Sequence, residues 1–69
     1  MHNVIFKGFK KDFQERIKWC EQMFGPTVEV VGPTQASLYR WSYEIIGMGM
    51  KQLYFNNDKD FTLYLLKWS

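Results

Sequence analysis

Few side chains in this 69-residue sequence could do chemistry, and they lie far apart. The one histidine, His2, follows the first methionine, and the one cysteine, Cys20, lies within an apolar pattern. Nucleophilic catalysis needs a Ser, Cys or Thr with a base and an orienting group, and the spacing suggests no such set. One His and one Cys also cannot form the usual ligand shell of zinc. We therefore predict a protein that is not an enzyme and that holds no metal or cofactor.

Two groups of residues could instead bind single-stranded nucleic acid. Tyr39, Trp41 and Tyr43 alternate along one predicted strand, where aromatic rings can stack on bases. Three lysines within five positions could contact phosphates, namely Lys7, Lys10 and Lys11. The core under a helix is the favoured explanation of the rings, and solvation that of the lysines, although the lysines could also attract an anion to the helix start. Nucleic-acid binding is therefore the alternative function rather than the leading one.

One helix, from Asp12 to Phe24, is predicted to position these groups. Its apolar residues recur on one side with a period near 3.6, and Cys20 lies among them as a small hydrophobe. Asp12 is expected to cap the first turn, and Gly25-Pro26 to end the helix. The apolar side consists of Phe13, Ile17, Trp19, Cys20, Met23 and Phe24.

Elsewhere the apolar pattern has a period of two, which is typical of strands. We predict strands at 4–6, 27–31, 37–46, 51–55 and 60–68, with Asn56–Lys59 as a hairpin loop. The predicted fold class is α+β, a single domain over residues 1–69 in the order β-α-β-β-β-β. One amphipathic helix (about 12–24) would pack on a mixed, mainly antiparallel sheet of four to five strands. A small, strongly bent barrel is the alternative.

Composition narrows the compartment and the partners. Nine Lys and Arg against seven Asp and Glu give a net charge of +2, which is too mild to indicate a polyanionic partner. A single cysteine suits a reducing interior. No signal-peptide pattern is visible, and the longest apolar stretches are too short to span a bilayer. We therefore expect a cytoplasmic protein without a membrane partner.

The predicted strands are apolar on both faces, although one helix can cover only one face of a sheet. Residues 60–68 show this pattern most clearly, because apolar side chains alternate to both sides. An uncovered apolar face usually marks an interaction surface. We therefore predict an interaction module that forms a homodimer through the sheet face away from the helix, although a different protein could cover that face. The expected anchors are Tyr64, Leu66 and Trp68.

Overall fold

The computed structural model describes residues 1–68. It contains three strands and three helices in the order β-α-α-β-β-α. The strands are β1 (His2–Lys7), β2 (Trp41–Gly47) and β3 (Met50–Phe55), and the helices are α1 (Lys10–Phe24), α2 (Gly32–Ala36) and α3 (Asp58–Trp68). β3 lies in the middle of the sheet and is antiparallel to both neighbours. The α+β class is confirmed. The predicted mixed sheet of four to five strands is wrong, because the sheet has three antiparallel strands.

The predicted helix is α1, and it begins one half-turn earlier than the sequence pattern indicates. Phe9 occupies the N-cap position, and its carbonyl oxygen accepts the Phe13 N–H at 3.1 Å. Asp12 therefore lies inside the first turn, where its charge favours the helix dipole, and does not cap the helix. Gly25 ends the helix as predicted, with φ at 93° and its N–H bonded to the Glu21 carbonyl at 3.0 Å.

The predicted strand 27–31 is wrong. Only a single bridge joins Glu29 to Tyr43 in β2, and the Val30 N–H donates to the Tyr43 carbonyl at 2.8 Å. The chain then turns into α2 because Pro33 at the start of a helix already has the required φ. The helix and the turn after it occupy residues up to 40, so β2 begins at Trp41 rather than at 37.

The segment 60–68 is also not a strand, because it belongs to α3. The residues expected to form a hairpin loop, 56–59, instead lead into this helix. Asn57 Oδ1 accepts the Asp60 N–H at 2.8 Å, which satisfies one of the free N–H groups of the first turn. Asp58 and Asp60 lie in that first turn and Lys67 in the last, so the charges favour the helix dipole.

The core has a large cluster on one face of the sheet and a smaller cluster on the other. α1 and α3 cover one face, and the predicted burial of Phe13, Cys20 and Phe24 is confirmed, whereas Ile17 is only partly buried. The opposite face is covered at one end only, where Tyr54 packs against Val30, Ala36 and Tyr39. The main cluster consists of Phe6, Phe13, Cys20, Phe24, Trp41, Leu53, Phe55 and Tyr64.

Candidate binding surfaces

The two side chains with the strongest intrinsic chemistry take part in packing. Cys20 is fully buried, and burial raises the pKa of its thiol to about 12. His2 stacks on Phe61 with ring centroids 4.9 Å apart and pairs with the Asp58 carboxylate, which ties β1 to α3. Residues 1–68 contain no group of three or more side chains placed to hold a metal ion. In the same residues, no helix has the length and apolarity needed to cross a membrane.

The three aromatic residues predicted to stack on bases are not brought together. Trp41 is only 1% exposed, and its Nε1–H donates to the Gly25 carbonyl at 2.8 Å. Tyr43 lies on the same face and meets the Phe13 ring edge-on at 5.8 Å. Tyr39 precedes β2 and packs against the smaller cluster on the other side of the sheet. Of the two aromatic residues on β2, Trp41 is therefore buried and Tyr43 is partly buried.

The predicted lysines surround an aromatic residue that the sequence reasoning missed. Lys7, Lys10 and Lys11 are exposed at the junction of β1 and α1, and Phe9 between them is 80% exposed. The Gly8 N–H donates a hydrogen bond of 3.1 Å to the Gly49 carbonyl, which joins this junction to the turn between β2 and β3. The sequence does contain a sign that Phe9 is exposed, because this residue falls outside both the strand pattern and the helix pattern.

The predicted interface anchors do not form one surface. Tyr64 is 1% exposed in the core, and its hydroxyl accepts a hydrogen bond from Arg16 at 2.8 Å. Trp68 is half-buried, with the Arg16 guanidinium 4.9 Å from its ring. Leu66 is 72% exposed on the outside of α3. Leu66 separates from Tyr64 and Trp68 because residues two apart on a helix point about 200° apart, whereas all three would share one face of a strand.

An uncovered sheet face does exist, but other residues form it. The strand register places Ile5, Gln52 and Glu44 in one row across the sheet and Lys7 beside Met50 in the next. We call these five residues the open sheet face; Ile5 is 44% exposed. Ile46, at the β2 bulge, lies next to it and is 45% exposed.

Tyr54 marks the border between this open face and the covered end. Its hydroxyl donates to Glu44 Oε1 at 2.6 Å, and burial together with this bond raises its pKa to about 12. This hydrogen bond holds Glu44 in place on the open sheet face.

A groove opens on the helix side of the same hairpin, between the first half of α1 and the turn after β2. Its volume is about 400 Å³. Phe13 and Ile17 from α1 face Tyr43 and Ile45 from β2 across it, and Ile45 is 52% exposed. The polar side chains at the groove include the two lysines Lys10 and Lys51. We call this site the apolar groove.

Comparisons with models of known families, with curated proteins and with solved structures gave no match for this chain. Function is therefore inferred from the open sheet face, the apolar groove and the exposed Phe9 with its neighbouring lysines.

Proposed function

We propose that the protein is a non-enzymatic interaction module that acts as a homodimer through the open sheet face. The observation that carries this proposal is the half-covered sheet: α2 and its neighbours protect the Tyr54 end, whereas Ile5 and Ile46 at the other end remain near half exposed. Two sheets commonly pack face to face through such apolar surfaces. A second copy would remove these side chains from water.

The charges of the open sheet face suit a partner identical to itself. Lys7 and Glu44 lie at opposite corners of this face, on the two edge strands. A two-fold axis that lies in the interface, at a right angle to the line joining these corners, would bring Lys7 of each protomer towards Glu44 of the partner subunit. Self-complementarity of this kind is what an isologous interface requires. We further propose a cytoplasmic location, since a reducing compartment suits the single free thiol.

Light scattering at tens of micromolar protein tests the dimer, with one variant on each candidate surface. Ile5→Lys is expected to weaken the dimer at least tenfold because it inserts a charge into the apolar contact. Leu66→Lys, on the exposed side of α3, is the matched control and should leave the dimer intact. A monomeric wild type refutes self-association. Loss of the dimer in the Leu66 variant alone would show that α3 forms the interface.

Charge reversal tests the pairing itself. Lys7→Glu places two carboxylates at each corner contact and should weaken the dimer. Adding Glu44→Lys in the same chain restores opposite charges, so the double variant should recover much of the lost affinity. If the double variant is as weak as the single one, Lys7 and Glu44 do not face each other across the interface.

Single-stranded nucleic acid remains the second candidate, and the exposed Phe9 ring between Lys7 and Lys10 favours it. Base stacking on Phe9 with phosphates on the lysines would give binding that weakens steeply with salt. A fluorescently labelled oligonucleotide titrated at low and at physiological salt distinguishes the candidates. Dimer formation rests mainly on the burial of Ile5 and its apolar neighbours, with the Lys7–Glu44 pairs as a smaller contribution, so it should weaken much less over the same range. Salt-sensitive binding that is lost in Phe9→Ala would support this candidate.

A further inference from the structure

The apolar groove combines an apolar lining with positively charged side chains. Phe13 and Tyr43 form part of its walls and meet at a ring distance of 5.8 Å. Ile45 is more than half exposed at its edge, and Met48 at the turn is fully exposed. Water therefore contacts large hydrophobic side chains here, and a bound apolar group would displace that water.

The two lysines at the groove favour a ligand that carries a negative charge. Lys51 is half-buried, and its Nζ stands 5.4 Å from the centre of the Phe13 ring, so the ammonium is held over the apolar wall. Lys10 reaches the groove from the first turn of α1. None of the residues that line the groove is acidic. The contacts between basic and acidic side chains within residues 1–68, His2 with Asp58 and Arg40 with Asp60, involve neither lysine.

We infer that the apolar groove binds a small amphipathic anion, an apolar carboxylate whose body lies against Phe13, Tyr43 and Ile45 and whose charge lies between Lys10 and Lys51. Ligand sites are characteristically apolar clefts of this size with a few polar groups that fix orientation. The volume of about 400 Å³ accommodates a straight chain or a fused aromatic ring of about ten carbons. The groove lies on the helix side of the β2–β3 hairpin, so it is separate from the open sheet face on the other side.

The probes are decanoate and naphthoate, with decanol and decyltrimethylammonium as neutral and cationic counterparts, all below their aggregation concentrations. Binding is followed by calorimetry and by the amide NMR resonances of Gly47 and Gly49, which lie in the wall of the groove. We expect both anions to shift these resonances, with the tighter anion distinguishing a lipid-like from an aromatic ligand. Decanol should bind at least tenfold more weakly than decanoate, and the cation should not bind.

Matched variants separate the charge from the apolar contact. Lys51→Met keeps the stem of the side chain and should weaken decanoate binding at least tenfold while leaving decanol binding unchanged or stronger. Lys18→Met, which removes an exposed lysine of α1 that does not line the groove, is the control and should have no effect. Ile45→Glu should abolish the binding of both anions.

Three outcomes would overturn the inference. They are equal binding of decanoate and decanol, equal effects of the Lys51 and Lys18 variants, and resonance shifts confined to other parts of the chain. The monomeric Ile5→Lys variant should bind decanoate as the wild type does, so failure of the groove and failure of the dimer are distinguishable.

Discussion

At the scale of single residues, Asp60 stands out because it is the charged side chain that is buried within residues 1–68. It is 1% exposed and accepts hydrogen bonds from Arg40 at 2.7 and 3.2 Å and from Asn57 Nδ2 at 3.0 Å. The bonds from Arg40 lower the pKa of the Asp60 carboxyl, and burial opposes that shift only in part. The carboxylate therefore joins the start of α3 to the segment that precedes β2.

The lowered pKa of Asp60 predicts how stability depends on pH. The stabilisation is present above the ordinary pKa of 3.8 and is lost as the pH falls through the lower pKa of the folded state. Asp60→Asn should therefore destabilise the protein at neutral pH, and its deficit should shrink as the pH falls below about 4. Urea unfolding at several pH values measures this, with Glu15→Gln, which removes an exposed carboxylate of α1, as control. A deficit that stays constant down to pH 2 would contradict the prediction.

At the scale of elements, the hydrogen bonds at the start of α3 favour the helix that residues 58–68 form. Asn57 accepts the Asp60 N–H and donates to the Asp60 carboxylate, so one side chain fixes both the backbone and the buried charge. Behind this cap, Phe61, Tyr64 and Trp68 follow at spacings of three and four residues and turn towards the main cluster. The cap and the apolar stripe thus reinforce each other.

Replacing the cap should destabilise this helix selectively. Asn57→Ala removes both hydrogen bonds, and we expect a loss of about 1–2 kcal/mol in the free energy of unfolding. The neighbouring Lys59→Ala, on an exposed position, should change stability by less than about 0.5 kcal/mol. Chemical denaturation followed by circular dichroism measures both. Equal effects of the two variants would mean that Asn57 does not cap α3.

At the scale of the whole molecule, stability depends on a small aromatic core. Phe55 in the central strand is fully buried and contacts Phe24, Phe61 and Tyr64 at ring distances of 5.2 to 6.0 Å. The Cα radius of gyration is 10.9 Å, so few residues lie far from the surface. A chain of this length has a total free energy of unfolding of only about 3–10 kcal/mol.

Truncating a side chain of α1 to Ala should therefore lower the free energy of unfolding more when that side chain is more deeply buried. Phe13 is 5% exposed and contacts Phe6 and Tyr43, so Phe13→Ala should cost about 3–5 kcal/mol and unfold much of the population. Ile17 is partly buried beside the apolar groove, and Ile17→Ala should cost about 2 kcal/mol, at the lower end for such changes. Urea midpoints give the order. A larger loss for Ile17 would show that the groove is closed in solution.

The sequence by itself determined the parts of the fold that have one strong local pattern. The helical stripe with Phe13, Cys20 and Phe24 is compatible with no strand, and Gly25-Pro26 stops it wherever the rest of the chain lies. β1 and β3 were placed correctly because short β-branched and aromatic runs end at turn residues. The burial of Cys20 followed from the same stripe.

Where the apolar pattern of a segment fits both a strand and a helix, only the tertiary structure decided which of the two forms. In 60–68, the set Tyr64, Leu66 and Trp68 fits a strand, whereas Phe61, Tyr64 and Trp68 fit a helix. The packing of Phe61, Tyr64 and Trp68 on the main cluster selects the helix. Moving this segment from the sheet to the helix layer changed which apolar face stays uncovered. The candidate surfaces followed, because the open sheet face and the apolar groove each join residues from β2 and β3 to residues near the chain start. Local periodicity carries no information about such distant pairings, which depend on how the helices and the sheet pack together.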